Sequence, residues 1–394
     1  MCWGVLTAGL LVEAGVRLAY DLLPDSAQFQ VSRVRLWGIA GPRLASDWTE
    51  TCVGDDHLGA RILPDLDEIR VRFGPALYRV STGSLGFSDV GFRTTDSTGV
   101  WDAVVVGDSF AFCHHVDIED CWVPQLARET GLAIADLGVP GTGSVSHARY
   151  LEEYGRGLNP KLAIWQYWVN DPRDDFDHIV RGLVPCPRPQ PAARSREIHP
   201  KQLLFDASVG ASLLRATWRR HSSPASRVRT NTWTFETTGG RPLFSWKGEG
   251  AAPESKEGAK GMELTLAAIR DGARGTISRG GSFLLLVAPS NLQVYADELP
   301  TEELRNEMRA ENRTSDRVVA FANEQGIDVL DLRRAFRAAA ERGEDLYPSY
   351  DVHWTPQGNR LAASLAASWV RDTLGKRAFD HGPPAARPPA DSNQ

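Results

Sequence analysis

Downstream of Trp101, five short apolar runs of strand length are separated by stretches of helical periodicity, and this alternation leaves few architectures open. The runs are 102–106 "DAVVV", 132–136 "LAIAD", 162–167 "LAIWQY", 282–287 "SFLLLV" and 327–330 "IDVL". Helical spacing of apolar residues appears at about 119–130, 144–157, 260–278, 302–324 and 355–373. Runs that are apolar throughout suit strands covered on both faces. Strands alternating with helices need crossovers, which are right-handed, so the spacing predicts a three-layer α/β/α domain on a parallel sheet. More than a hundred residues separate the third and fourth runs. That gap opens with the proline-rich "VPCPRPQPAARSR" and contains "NTWTFETTGGRPLFSW", which predicts a hairpin around Gly239 and Gly240. Ligands in open α/β sheets bind beyond the strands' carboxyl ends, so an insertion at about 176–258 is expected to cap that edge.

The flanks read differently. Residues 25–100 form an irregular, β-rich lead-in, with alternation in "EIRVRF" and "ALYRVST" followed by the glycine-punctuated "TGSLGFSDVGFR". At the N-terminus, an apolar run from Met1 to Val12 is broken by Glu13 and Arg17. It is shorter than the roughly 20 apolar residues that span a bilayer, and it lacks a basic start and a small-residue cleavage site. Two readings of residues 1–24 follow: the end of a signal anchor continuing upstream of this chain, or an amphipathic helix packed on the domain. Residues 377–394 are proline-rich and polar and are expected to be disordered, leaving 101–376 as the main domain.

With 394 residues, 42% hydrophobic and 24% charged, the chain can bury a full core. Its net charge of -6 supplies no basic field for a phosphate backbone, so nucleic acid is not an expected partner. The five cysteines, Cys2, Cys52, Cys113, Cys121 and Cys186, include no CxxC pair and no spacing that closes a zinc tetrahedron. Cys113 and Cys121 flank a short turn and suit a disulfide in an oxidising compartment, with Cys52 and Cys186 as a second pair; buried free thiols are the equal alternative.

Chemistry-bearing residues collect where strands end. "VVVGDSF" puts Ser109 at the turn after the first strand, where a hydroxyl faces the carboxyl-edge crevice beside backbone N–H groups, a nucleophile's position. "DLGVPGTGS" after the second strand offers Gly138, Gly141 and Gly143, whose backbone can approach a developing oxyanion. "YWVND" after the third offers the amide of Asn170, and "YPSYDVHWTPQGNRLAA" after the fifth offers Asp351 and His353 just before a helix. Each has an ordinary structural use as well: Ser109 as a helix cap, Asp351 with His353 as a helix-terminal pair, Asn170 bonded to its own loop.

Taken in order, "GDSF", "GVPGTG", "VND" and "DVH" resemble the first, second, third and fifth sequence blocks of the SGNH hydrolase superfamily, also called the GDSL esterases and lipases. The resemblance runs from about 101 to 373, and "SLGFSDVGFR" is similar to the lead-in of membrane-anchored bacterial members. It implies a flavodoxin-like five-stranded parallel sheet in the order 2-1-3-4-5, here with an inserted β-containing cap. It further implies Ser109 as nucleophile, His353 as general base and Asp351 as its orienting acid. The oxyanion hole would be the N–H of Ser109, the N–H of Gly141 and the side chain of Asn170. Two departures bear on substrate. Trp168 stands where the family usually has glycine, and the acid lies two residues before the histidine, with Tyr350 in the usual place. "DVHWTPQG" resembles the D-x-H-W-T form found in SGNH-like domains that act on bacterial exopolysaccharides.

The remaining pocket candidates are Trp168, Asp108 and Trp354, Asp108 more through bonds to loop backbone than through chemistry. His114 and His115, being adjacent, point different ways and cannot both hold one metal there, so packing or surface roles are expected. Asp171, Asp174, Asp175, Asp177 and His178 match no metal pattern and read as a solvated acidic loop. Trp233, Phe235, Phe244 and Trp246 serve either a carbohydrate platform or the hairpin's own stability. The expectation is thus a serine ester hydrolase needing no cofactor or metal that removes O-acetyl groups from a carbohydrate. An O-acetyltransferase on a surface polysaccharide and a non-catalytic glycan-binding subunit are the alternatives. The expected setting is the bacterial cell envelope, on the exported face of the inner membrane or secreted, with N-terminal membrane association; a cytoplasmic site stays open.

Overall fold

The structure is a computed structural model that describes residues 46–73, 76–93, 99–189, 208–210, 232–248 and 254–374, with Leu11, residues 13–19 and Leu22 besides. Most of residues 1–24 and all of the tail from 377 lie outside these. No helix among the described residues is long and apolar enough to cross a membrane.

The strands of the central sheet are β6 (Ala103–Val106), β7 (Ile134–Asp136), β8 (Leu162–Tyr167), β11 (Ser282–Val287) and β12 (Asp328–Asp331). Five further strands precede them in the lead-in: β1 (Ser46–Asp47), β2 (Cys52–Asp55), β3 (Gly59–Ile62), β4 (Ile69–Phe73) and β5 (Ala76–Val80). A hairpin, β9 (Thr232–Glu236) and β10 (Pro242–Trp246), completes the set. The central sheet runs β12-β11-β8-β6-β7 with every pair parallel, which is the expected order 2-1-3-4-5.

Both faces of the sheet are covered because its side chains alternate between two cores. Ala103, Val105, Leu162, Ile164, Leu284 and Leu286 face one core, shared with α2 (Trp122–Thr130), α8 (Arg333–Glu341) and α9 (Pro356–Leu374). Val104, Val106, Ala163, Trp165, Phe283 and Leu285 face the other, shared with α3 (Ser144–Glu153), α5 (Lys256–Ile277) and α7 (Glu302–Glu324). At roughly 1.5 to 3 kcal/mol per fully buried large apolar side chain, this two-sided burial accounts for the all-apolar strand runs.

The lead-in strands extend the second core. Leu58, Ile62, Val71, Tyr78 and Val80 pack there with Tyr150 and Tyr154, and the Tyr150 hydroxyl donates to the Ala60 carbonyl at 2.6 Å. The hairpin turns at Thr237–Gly240, where Gly240 has φ +84°, and buries Leu243 in the first core. Phe235, Phe244 and Trp246 lean on that core, so hairpin and sheet stabilise each other.

Both cysteine pairs are disulfides. Cys113–Cys121 bridges eight residues and Cys52–Cys186 bridges 134, joining the lead-in to the segment after α4 (Asp171–Ile179).

Candidate active site

The strand β6 ends at Val106, and Asp108 caps the short helix α1 (Ser109–Phe112) by accepting from the Phe110 N–H at 2.9 Å. The backbone N–H of Asp108 donates to Gln166 Oε1 on β8 at 3.0 Å, which fixes the turn to the neighbouring strand. Below it, the buried guanidinium of Arg93 donates to the carbonyls of Phe112, Cys113 and Val116 at 2.6–2.7 Å. Ser109 therefore starts a turn held from three sides. Its side chain meets a histidine 244 residues away: the Ser109 hydroxyl and His353 Nε2 are 2.7 Å apart.

His353 in turn places Nδ1 2.8 Å from Asp351 Oδ1. The same oxygen accepts from the backbone N–H groups of Val352 and His353, so the D-x-H loop fixes its own carboxylate. Burial by itself would push the Asp351 pKa up. The imidazoles of His115 and His353 and these hydrogen bonds outweigh it and hold the carboxyl below the usual range. An ionised carboxylate at Nδ1 keeps Nε2 free of its proton and aimed at the hydroxyl, the arrangement that lets a serine act as nucleophile.

Gly141 and Asn170 line the same cleft as Ser109 and His353, a cavity of about 300 Å³. Gly141 has φ +70°, and a Cβ there would stand 2.8 Å from the Pro185 side chain, so the left-handed turn and the close wall both require glycine. Gly138 serves another purpose: a Cβ on it would come within 2.6 Å of the Phe112 nitrogen, so it packs on the turn that carries Ser109. Asn170 sits at the N-terminus of α4 and donates one amide N–H to Asp174 Oδ2 at 2.8 Å. An amide carries two such donors, which leaves one for a ligand in the cleft.

Trp168 lines the cleft, its ring 4.9 Å from Phe110 and 6.4 Å from His353 between centroids. Asp108 and Trp354 do not line it. Asp108 is spent on capping α1, and the Trp354 ring is buried between Phe110 and Phe336, with its N–H donating to the Tyr347 hydroxyl at 3.3 Å. Trp48 from the lead-in and Trp246 from the hairpin complete an aromatic rim with Trp168.

Two expectations need correction. The acidic cluster is the helix α4, not a solvated loop, because Asp171 and Asp175 face inward. Asp171 accepts from the Ser144 hydroxyl at 2.5 Å; Asp175 accepts from the Val145 N–H at 2.8 Å and the Thr265 hydroxyl at 2.6 Å. Burial, opposed by these bonds, raises Asp175 to about 7. His114 and His115 are not at the surface: His114 lines the cleft and bonds through Nδ1 to the Tyr78 hydroxyl, while His115 Nε2 lies 3.3 Å from Asp351 Oδ2. The expectation that these two diverge holds, yet it missed that each meets the site. Arg93 and Gln166 were also missed. Their only signal is a charged residue after a glycine-rich lead-in and a lone amide within an apolar strand.

Among the described residues, one group of three brings potential metal-ligand atoms within 4.8 Å of one another: His115, Asp351 and His353. A cation there would draw on the Asp351 and His353 side chains, whose ring nitrogens already contact Asp351 and Ser109.

Residues 243–390 match the family model described as SGNH hydrolase-like domain, acetyltransferase AlgX. Among solved structures, a putative lipolytic protein of the G-D-S-L family from Desulfitobacterium hafniense DCB-2 is similar at 12% identity, over 68% of this chain and 98% of that one, with a TM-score of 0.38. An acetyl xylan esterase, AlAXEase, is similar at 14% identity over 68% of this chain and 99% of that one, TM-score 0.38. An acetylxylan esterase from Geobacillus stearothermophilus is similar at 12% identity over 69% of this chain and 93% of that one, TM-score 0.38. No curated protein matches the chain.

Proposed function

We propose that this protein is a serine esterase of the SGNH type that removes acyl groups, acetyl foremost, from carbohydrate through Ser109, His353 and Asp351. The observation that carries the reading is the continuous chain of 2.7 Å and 2.8 Å contacts from hydroxyl to imidazole to carboxylate at the base of an open cleft. His353 Nε2 takes the Ser109 proton as Oγ attacks the ester carbonyl. The oxyanion is held by the N–H of Ser109, the N–H of Gly141 and the second amide N–H of Asn170, each donor worth about 3 kcal/mol in the transition state. Collapse breaks the bond to the alcohol, which leaves with the proton from His353, and Asp351 stabilises the transient imidazolium. Water, deprotonated by His353, then attacks the acyl-serine and regenerates the hydroxyl.

Carbohydrate is favoured because Trp48, Trp168 and Trp246 offer flat apolar faces around the nucleophile, while Arg173, Asp174 and Asp177 supply polar contacts. A second reading keeps the first half-reaction and passes the acyl group to a sugar hydroxyl; the acetyltransferase description of the matching family model favours it. Two disulfides support residence in an oxidising compartment such as the cell envelope.

The test is initial-rate hydrolysis of p-nitrophenyl acetate by the wild type and by Ser109→Ala, with folding of both checked by circular dichroism. Loss of turnover in the variant alone supports the nucleophile, and acetylated oligosaccharide with and without an acceptor glycan then separates hydrolysis from transfer. Equal rates in both would overturn the catalytic reading and leave the glycan-binding subunit.

A further inference from the structure

We propose that His115 is a positioning residue of this site, holding the second oxygen of the Asp351 carboxylate while His353 uses the first. The inference rests on the serine-esterase reading given above and adds a fourth side chain to it. His115 Nε2 lies 3.3 Å from Asp351 Oδ2, and the two side chains are 3% and 4% exposed. On the other oxygen, Oδ1 accepts from His353 Nδ1–H and two backbone N–H groups. The carboxylate thus has an imidazole beside each oxygen, bonded at Oδ1 and within reach at Oδ2.

The backbone around His115 argues that this placement is built. His115 has φ +75° and Cys113 has φ +58°, a conformation that costs a residue with a side chain roughly 1–2 kcal/mol. Strain of this kind persists only where the surroundings over-determine it. Here they do: the Cys113–Cys121 disulfide anchors the turn, and Arg93 holds the carbonyls of Phe112, Cys113 and Val116 on either side. A glycine at 115 would adopt this φ freely, yet the chain places a buried imidazole there.

The groups facing His115 are Asp351 and His353 from the D-x-H loop, Tyr350 beside them, His114 from its own turn and Tyr78 from β5. Burial pushes the His115 pKa down to about 4 against the pull of Asp351, so near neutral pH the ring is uncharged. A neutral ring has one N–H; carried on Nε2 it stands 3.3 Å from Oδ2, a contact that a small rotation of the ring turns into a hydrogen bond without cancelling the carboxylate's charge. Its effect is to restrain the carboxylate, so that Oδ1 stays aimed at His353 Nδ1 through the formation of the imidazolium. This is the kind of second contact that fixes a reacting side chain within a fraction of an ångström.

The experiment compares His115→Phe, which keeps a ring of similar size without a donor, with His115→Gln, whose amide nitrogen reaches to about where Nε2 lies. Both are assayed on p-nitrophenyl acetate beside the wild type and Ser109→Ala, with melting temperatures measured for all. Loss of one hydrogen bond to a charged group predicts a fall in kcat of about ten- to hundred-fold for His115→Phe with KM unchanged, and recovery of most of kcat in His115→Gln. His115→Ala serves if the phenyl ring is not accommodated. Wild-type kcat in a folded His115→Phe or His115→Ala, or a folded His115→Gln no better than either, overturns the proposal. Turnover retained by Ser109→Ala would instead overturn the esterase reading beneath it.

Discussion

Replacing Asp351 by Asn isolates the carboxylate's charge from its geometry, because the local hydrogen bonds dictate which way the amide must point. Asp351 Oδ1 accepts from the backbone N–H groups of Val352 and His353 as well as from His353 Nδ1. An amide nitrogen in that place would face three donors, so the Asn oxygen occupies the Oδ1 position and its NH2 faces His115 Nε2. Neutral His115 can accept there through its other tautomer. The fold and the His353 tautomer are then kept, and what disappears is the attraction between carboxylate and imidazolium. With the charges about 4 Å apart and an effective dielectric of about 20, that attraction is about 4 kcal/mol, or roughly a thousand-fold in rate. Steady-state hydrolysis of p-nitrophenyl acetate should show this loss in kcat with KM nearly unchanged, alongside a melting temperature close to wild type. A folded Asp351→Asn variant that keeps a tenth or more of wild-type kcat would refute the assignment of Asp351 as the charge behind His353.

Two further outcomes follow from buried polar groups and from the disulfides. Asp175 is raised to about 7 from an ordinary 3.8, so the folded state holds its proton more tightly than the unfolded chain. Its contribution is complete below about pH 4 and is lost as pH rises toward 7. Asp175→Asn mimics the protonated acid, accepting from Val145 N–H and donating to Thr265, and its stability in denaturant titrations should gain on the wild type by a few kcal/mol between pH 5 and pH 8; a pH-independent gap would contradict this. The Cys52–Cys186 bridge spans 134 residues, for which the chain-entropy estimate is about 5 kcal/mol, and it holds the segment carrying Val184 and Pro185 on the cleft wall. The double variant Cys52→Ser/Cys186→Ser should melt at a clearly lower temperature and show a raised KM, and an unchanged melting temperature under oxidising conditions would count against the bridge.

What the amino-acid order determined by itself was local or periodic. The strand runs "AVVV" and "SFLLLV" and the helices at 302–324 and 356–374 are set by spacing of apolar residues within a few turns, and that spacing is visible without knowing any partner. That the strands run parallel followed from their alternation with helices, a rule about connections rather than contacts, while their order was implied only by the resemblance to the SGNH superfamily. Ser109 was readable as a candidate because it follows a strand's end in a short motif, and Asp351 and His353 because they share a motif of consecutive residues just before the last helix. Only the tertiary structure decided which polar groups are buried. Asp175 is inside because Thr265, 90 residues on, supplies a donor, and nothing in "NDPRDDFDH" records that partner. The same holds for His115, whose neighbour in sequence, Cys113, is tied to Cys121 while its neighbour in space, Asp351, lies at the far end of the chain. Burial of a charge costs several kcal/mol unless a partner meets it, and partners so distant in sequence are chosen by the fold.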